Sequence, residues 1–167
     1  MSIQAADTTG FIKLVKHPLK FRLFLLSKLP SAFFAGVRVQ SISEKACTVT
    51  VPYKWFSTNP FRSTYFACLA MAAEMSTGAL SMAHLYKIKP SVSMLVVGLE
   101  AEYFKKATGK TSFVCNDGEA IQNAIATTMR TGEGVTVKAT SVGTNAQGEE
   151  VARFFITWSF KAKKITN

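Results

Sequence analysis

The segment NPFRSTYFACLAMAAEMSTGALSMAHL, residues 59–85, decides how the rest of the chain is interpreted. It is rich in strong helix formers and has no proline after Pro60, which predicts a helix of about five or six turns. Apolar residues occupy every face, so this helix must be buried on all sides by a membrane or by other protein layers. Its serines and threonines, together with Glu74, make a poor membrane span. We therefore interpret it as the core helix of a globular domain.

Glu74 is the only charged residue between Ser63 and Ala83. An ionised carboxylate in an apolar core is strongly unfavourable unless it is paired, hydrogen-bonded or open to a cavity. Partial burial also raises the pKa of a carboxyl group toward the pH at which a general base works. Glu74 is therefore the first candidate for a catalytic residue. The alternative is a structural carboxylate paired with a cation such as Arg62 or with a tyrosine.

Length and composition limit the classes of protein to consider. The chain has 167 residues, 48% of them hydrophobic, which predicts a single domain over residues 1–167 with a helical extension at residues 1–34. Its formal net charge of +10 suits an anionic partner or serves solubility alone. With no secretion signal and no metal-ligand spacing, we expect a cytoplasmic protein without a metal site. Buried free thiols are expected at Cys47, Cys68 and Cys115.

Strands are predicted on both sides of the central helix. Residues 11–29 form one or two basic amphipathic helices divided by Pro18, and these are expected to pack on their own domain, so membrane contact is not expected. Residues 37–51 alternate with period two, which predicts a hairpin. The continuous apolar half of residues 92–104 indicates a long strand buried against the helix. In chain order, the remaining predicted elements are a strand over 111–115, a helix over 116–130, a strand over 135–142 and a strand over 150–161.

This order of elements favours one architecture. The predicted fold class is α+β, with the long helix wrapped by an antiparallel sheet of about six strands. At the entrance to the helix, Thr58 or Asn59 is expected to cap backbone N–H groups and Pro60 suits an early helical position. The final strand and its neighbours leave apolar surface uncovered, so a homodimer is expected.

At the helix entrance the sequence resembles the hotdog-fold thioesterase superfamily, in particular acyl-CoA thioesterases of the phenylacetyl-CoA type. There the entrance reads Asn, then His-Gly-Gly, then Asp or Glu further along the helix. Asn59 and Glu74 match the first and last of these, fifteen positions apart, while Tyr65 replaces the histidine and Phe66 and Ala67 replace the glycines. The segments NPFRSTYFACLAMAAE and EAEYFKKATGK are similar to a branch known only as a domain of unknown function.

The resemblance covers residues 35–161 and implies hydrolysis of an acyl-CoA thioester by a homodimer or a tetramer, without a resident cofactor. Glu74 would be the general base or the nucleophile. Asn59 would orient the carbonyl group or the water, and the backbone N–H of Phe66 would stabilise the oxyanion. Ser93, in a Val-Ser pair similar to the family's, would position the attacking water.

A basic rim for the phosphates of coenzyme A is expected from the turns at residues 86–89 and 105–110. Because the glycine-rich entrance is missing, the alternative is a non-catalytic module that binds an acyl thioester or a lipid. A hotdog dehydratase is a weaker third possibility, since neither histidine lies at the expected loop, and nucleic-acid binding has no motif. The expected substrate-binding residues are Tyr65, Ala67, Lys105, Lys106 and Lys110.

Overall fold

The computed structural model describes residues 4–163. The α-helices are α1 (Thr8–Lys16), α2 (Pro18–Lys28), α3 (Pro30–Ala35), α4 (Phe66–Leu85) and α5 (Gly118–Thr131). The strands are β1 (Arg38–Ile42), β2 (Cys47–Val51), β3 (Val92–Tyr103), β4 (Thr111–Cys115), β5 (Val135–Thr144) and β6 (Glu150–Ala162). They form one six-stranded sheet in the order β1-β2-β4-β5-β6-β3, with every neighbouring pair antiparallel.

Helix α4 is the core helix that the sequence predicted. It packs on β1, β2, β4, β5 and β6, where its alanines allow close approach of the strands. Its buried polar side chains find partners across the sheet: Ser76 Oγ and Ser141 Oγ share a hydrogen bond of 2.8 Å, and Trp158 Nε1 donates to Thr77 Oγ1 at 2.9 Å. Although α4 is long and apolar enough to cross a membrane, 67% of its most apolar stretch is buried inside the domain.

Strand β3 is not buried against α4, so the prediction for residues 92–104 is wrong in this respect. It lies at the edge and pairs with β6, and its apolar residues Leu95 and Leu99 are exposed to 65% and 50%. Leu99 lies opposite the buried Ile156 and so faces the helix side of the sheet, yet it remains uncovered. The final strand β6 is interior to the sheet. The uncovered apolar surface lies on β3, which pairs with the final strand and so is one of the neighbours that the prediction included.

The N-terminal extension forms three helices, where one or two were predicted. Pro18 divides the first two, as expected, and Pro30 not only ends α2 but also opens α3. Helix α1 packs on α4 and β1 and buries Phe11 and Val15. In α2, by contrast, Leu25 is the only buried residue, so the expected packing of its apolar residues on the domain is largely wrong.

Candidate active site

The loop before α4 is ordered by the side chain of Asn59. Its Oδ1 accepts hydrogen bonds from the N–H groups of Phe61 at 3.0 Å and Ser63 at 3.2 Å, and its Nδ2 donates to Ser63 Oγ at 3.1 Å. Asparagine suits this role because its short amide can hydrogen-bond to the backbone just after it. The predicted cap is therefore wrong: α4 begins at Phe66, with Tyr65 as its N-cap residue.

Helix α4 begins with two backbone N–H groups that have no acceptor. The N-cap residue Tyr65 supplies no side-chain hydrogen bond. Within residues 4–163, the N–H groups of Phe66 and Ala67 donate to no protein atom. Unpaired N–H groups at the start of a long helix carry the positive end of the helix dipole, and this arrangement stabilises an oxyanion. The expected donor at Phe66 is thus free, and Ala67, which was expected only to contact substrate, supplies a second.

A cavity of about 550 Å³ opens beside this helix start and is called the entrance cavity below. The aromatic rings of Tyr65 and Phe66, with centroids 4.9 Å apart, form part of its wall. Lys105 forms an ion pair with Glu149, whereas Lys106 has no ion pair among the described residues. The residues that line the cavity include Asn59, Phe61, Tyr65, Phe66, Leu69, Tyr103, Lys105 and Lys106.

The basic residues of the expected rim do not lie around one cavity. Of the three expected lysines, Lys105 and Lys106 line the entrance cavity, whereas Lys110 lines a separate cavity. Residues 86–89 follow the far end of α4, and a helix of this length carries them about 30 Å from Phe66. The two turns therefore do not form one rim in a single chain.

Glu74 lies in a second, smaller cavity of about 190 Å³, called the carboxylate cavity below. Within the described part of the chain, its carboxylate has no hydrogen bond and no ion pair, so the structural pairing considered with Arg62 is not formed. Burial among apolar groups raises the pKa of the Glu74 carboxyl above its ordinary value of 4.5. The other lining residues are Phe11, Phe21, Phe24, Leu25, Leu29, Met75, Gly78, Ala79, Met82 and Met94.

Gly78 leaves the space that this carboxylate occupies. A Cβ atom at position 78 would lie 3.1 Å from Glu74 Oε1 and 3.3 Å from the indole ring of Trp158. The indole is fixed by its hydrogen bond to Thr77, so it has little freedom to move away. A side chain at position 78 would therefore press on the carboxylate.

Glu74 and the helix start share a face of α4 but not a cavity. Phe66, Ala70 and Glu74 follow at intervals of four residues, so they form one stripe, and none of the three is buried. A rise of 1.5 Å per residue places Glu74 about 12 Å along the helix from Phe66. One chain alone thus holds the two candidate groups apart.

Ser93 lies away from both cavities. Its hydroxyl donates to the carbonyl oxygen of Lys161 at 3.1 Å. Its neighbour Met94 lines the carboxylate cavity, and because side chains alternate along a strand, Ser93 points to the opposite face of the sheet. The structure therefore does not bring Ser93 to Glu74 within one chain.

The expected buried free thiols are confirmed. The three cysteines are free and buried, and Cys47 lies opposite Cys115 in the pairing of β2 with β4. Near the end of α4, His84 is buried and its Nε2 hydrogen-bonds to the carbonyl oxygen of Glu44 at 2.9 Å.

The sequence matches one family of known proteins. Residues 20–160 match the family described as domain of unknown function DUF4442. A search of curated proteins found no match.

Several solved structures are similar to the chain. A protein of unknown function from Pseudomonas aeruginosa, described as a probable thioesterase, is 18% identical with a TM-score of 0.74 and covers 87% of this chain and 97% of its own. A protein of unknown function from Chlorobaculum tepidum is 16% identical with a TM-score of 0.71, covering 87% and 94%. A thioesterase from Haemophilus influenzae is 11% identical with a TM-score of 0.65, covering 87% and 92%. At these identities the likeness shows the fold alone, which is the predicted hotdog fold of thioesterase-like proteins. Because the matched family model spans most of the sequence, the chain belongs to the DUF4442 family.

Proposed function

We propose that the protein is an acyl-CoA thioesterase whose active site forms between two copies of the chain. The observation that carries this proposal is the pair of free N–H groups at Phe66 and Ala67, together with the unpaired carboxylate of Glu74 about two turns further along the same helix. An oxyanion site and a general base are the two groups that thioester hydrolysis requires. The thioesterases among proteins of similar fold support the same reaction class.

A second copy is needed because the two groups are too far apart in one chain. Reacting atoms must approach to about 3–3.5 Å, whereas Glu74 lies about 12 Å along the helix from Phe66. Strand β3 offers an edge with exposed apolar residues such as Leu99, which a copy of the same strand would cover. Pairing about a two-fold axis would run the two α4 helices in opposite directions. Glu74 of the partner subunit would then approach the Phe66 end of the first.

The proposed chemistry follows from these positions. Glu74 of the partner subunit takes a proton from water as the water oxygen attacks the carbonyl carbon of the thioester. The carbonyl oxygen becomes an oxyanion, which accepts hydrogen bonds from the N–H groups of Phe66 and Ala67. When the carbon–sulfur bond breaks, the thiolate leaves and takes the proton from Glu74. The products are a carboxylic acid and free coenzyme A.

The remaining candidate residues have supporting roles. Asn59 acts by ordering the loop that presents the helix start, rather than by capping it. Lys106, which has no ion pair among the described residues, is the better placed of the two entrance lysines to meet a phosphate of coenzyme A. Ser93 has no role in this proposal because its hydroxyl lies on the opposite face of the sheet.

A non-catalytic acyl-thioester-binding or lipid-binding module is the second candidate. It is favoured by the aromatic pair at Tyr65 and Phe66, which narrows the approach to the N–H groups. Purified protein assayed with short, long and aromatic acyl-CoA thioesters separates the two candidates. Tight binding of one thioester without turnover of any would support the module and reject the enzyme.

The shared site has a sharper test, which mixes two inactive variants. Glu74→Gln removes the base. Phe66→Pro removes one oxyanion donor, and it fits because proline is favoured at the first helical position and Tyr65 has the extended conformation that proline requires before it. If each site uses both subunits, co-refolded mixtures recover about a quarter of wild-type activity, because each mixed dimer regains one intact site.

Two controls accompany this mixing experiment. Phe66→Ala removes the ring but keeps the N–H, and it should remain active, which separates the two effects of the proline. Light scattering should show a dimer for every variant. If the mixtures stay inactive while dimers form, the site lies within one chain and the two-chain proposal is wrong.

A further inference from the structure

Helix α2 carries apolar side chains on the face that points away from the domain. Leu19, Leu23 and Leu26 are exposed to 63%, 56% and 41%, and their spacing of four and three residues places them on one face. The single buried residue of α2, Leu25, anchors the opposite face to the core. An outward row of leucines is unfavourable in water, so this face calls for a partner.

Aromatic contacts extend this surface beyond α2. The guanidinium of Arg22 lies 3.9 Å from the ring centroid of Phe33, and Phe33 and Phe34 have centroids 5.4 Å apart. Phe34 continues to Phe56 at 5.9 Å, and Phe56 to Trp55 at 6.3 Å. Trp55 is exposed to 87%. We call the outward surface of α2, α3 and the 3₁₀ turn Trp55–Ser57 the α2 face.

The charge around the α2 face has one sign. Residues 8–43 contain no aspartate or glutamate. The cations of this segment are Lys13, Lys16, Lys20, Arg22, Lys28 and Arg38. A second copy of the same face would bring like charges together, whereas an anionic surface would be attracted to it.

A cavity between α2 and β1 concentrates this charge. It has a volume of about 310 Å³ and is lined by Lys16, Arg22 and Arg38, with apolar side chains and no carboxylate among its lining residues. Burial, and then the charge of Arg38, lower the pKa of Arg22, whose Nη1 donates to the carbonyl oxygen of Val37 at 3.4 Å. Two arginines and a lysine match the oxygens of a phosphate group.

We propose that the α2 face docks on an anionic phospholipid membrane. The outward leucines and Trp55 enter the interface between headgroups and acyl chains, where leucine and tryptophan side chains are stabilised. The basic residues bind the lipid phosphates, one of them in the cavity of Arg22 and Arg38. This attachment is peripheral, because α4 remains the core of the domain. It does not depend on the proposed thioesterase activity, so either can fail alone.

Co-sedimentation with lipid vesicles tests the proposal on the full chain. We expect binding to phosphatidylcholine vesicles that contain about 30% phosphatidylglycerol and much weaker binding to phosphatidylcholine alone. Leu23→Gln should weaken binding to the anionic vesicles by about tenfold, because one leucine no longer enters the interface. Lys20→Gln should weaken it by about fivefold, the usual effect of one cation near such a surface.

A matched control variant separates this face from general charge. Arg130→Gln removes one exposed charge from α5, which packs on β5 and β6. It should bind vesicles as the wild type does. Arg38→Gln, with its melting temperature checked, should weaken binding to anionic vesicles if the cavity holds a headgroup.

Three results would overturn the proposal. One is no binding to either kind of vesicle. Another is equal loss of binding in Lys20→Gln and Arg130→Gln with none in Leu23→Gln, which would indicate nonspecific attraction by net charge. The third is a change of oligomeric state in Leu23→Gln by light scattering, which would make the α2 face an interface between copies of the chain.

Discussion

The entrance cavity and the carboxylate cavity lie on the same helix, yet the groups that line them differ in polarity. The entrance cavity adjoins the backbone N–H groups at the start of α4, a hydrogen-bonded loop and two lysines. The carboxylate cavity is apolar apart from Glu74, and the N-terminal helices cover it. The first environment stabilises negative charge, whereas the second favours a protonated acid. In the proposed two-chain site, the first environment would bind the oxyanion, and the raised pKa of Glu74 in the second would make its ionised carboxylate a stronger base.

Removing the carboxylate should have the largest effect. We expect Glu74→Gln to lower thioester hydrolysis by about 10²- to 10⁴-fold, the usual effect of losing a general base, with the fold retained because glutamine is nearly isosteric. Steady-state kinetics with the best acyl-CoA substrate would measure it. Glu119→Gln, an exposed change in α5, is the matched control and should leave the rate unchanged. A small loss in Glu74→Gln would leave the carboxylate cavity without a catalytic role.

Removing an N–H group at the other cavity should have the next largest effect. We expect Phe66→Pro to lower kcat by about 10²- to 10³-fold, the usual effect of losing one oxyanion donor. Phe66→Ala keeps the N–H group and serves as the control for the lost ring. Equal losses in the two variants would assign the effect to the ring and remove the oxyanion role from the entrance cavity.

A change on the buried side of α4 should affect stability alone. Thr77→Val removes the acceptor of the Trp158 indole N–H, and a buried unpaired donor costs about 1–3 kcal/mol of unfolding free energy. Chemical denaturation would measure the loss. Adding Trp158→Phe should relieve part of it, because the unpaired donor is then absent. A large fall in hydrolysis by a stable Thr77→Val protein would show that the proposed active site also depends on the buried side of α4.

The smallest expected effect is a pH dependence. Because the pKa of Glu74 is raised in the folded protein, the unfolded chain releases this proton more readily, and stability falls as pH rises from about 4.5 through the raised value. Glu74→Gln should therefore match the wild type at about pH 4 and become the more stable protein toward neutral pH. Denaturant titrations across this range would measure the difference. A wild-type protein that instead gains stability relative to Glu74→Gln toward neutral pH would indicate that a partner group holds the carboxylate ionised, and a difference independent of pH would indicate that the pKa is not raised.

The sequence predicted the fold well because its signals are local. Period-two alternation marks β2 and β6, and the all-round apolar surface of α4 leaves few architectures other than a helix wrapped by a sheet. The family motif then located Glu74 and the free N–H at Phe66. Each of these predictions depends on residues that are close together in the chain.

The errors concern what covers an apolar surface. The run in residues 92–104 indicates burial, but it cannot distinguish cover by a helix of the same chain from cover by another molecule. The leucines of α2 pose the same problem, since the pattern shows that they are apolar but not where they point. Thr58 or Asn59 is predicted as a cap because these residue types favour that position and Pro60 suits an early helical one, but α4 begins only at Phe66. The separation of Glu74 from Ser93 depends on strand register, which no local pattern fixes.

Gly78 has a consequence for engineering. A glycine inside a helix lowers stability by about 0.5–1 kcal/mol relative to alanine, and α4 accepts this at the point where the Glu74 carboxylate needs room. The position is thus a trade-off between robustness and activity. Selection for heat resistance alone would favour alanine here in a chain that no longer needs Glu74. In this chain, Gly78→Ala is therefore expected to gain helix stability at the expense of the space that the Glu74 carboxylate occupies.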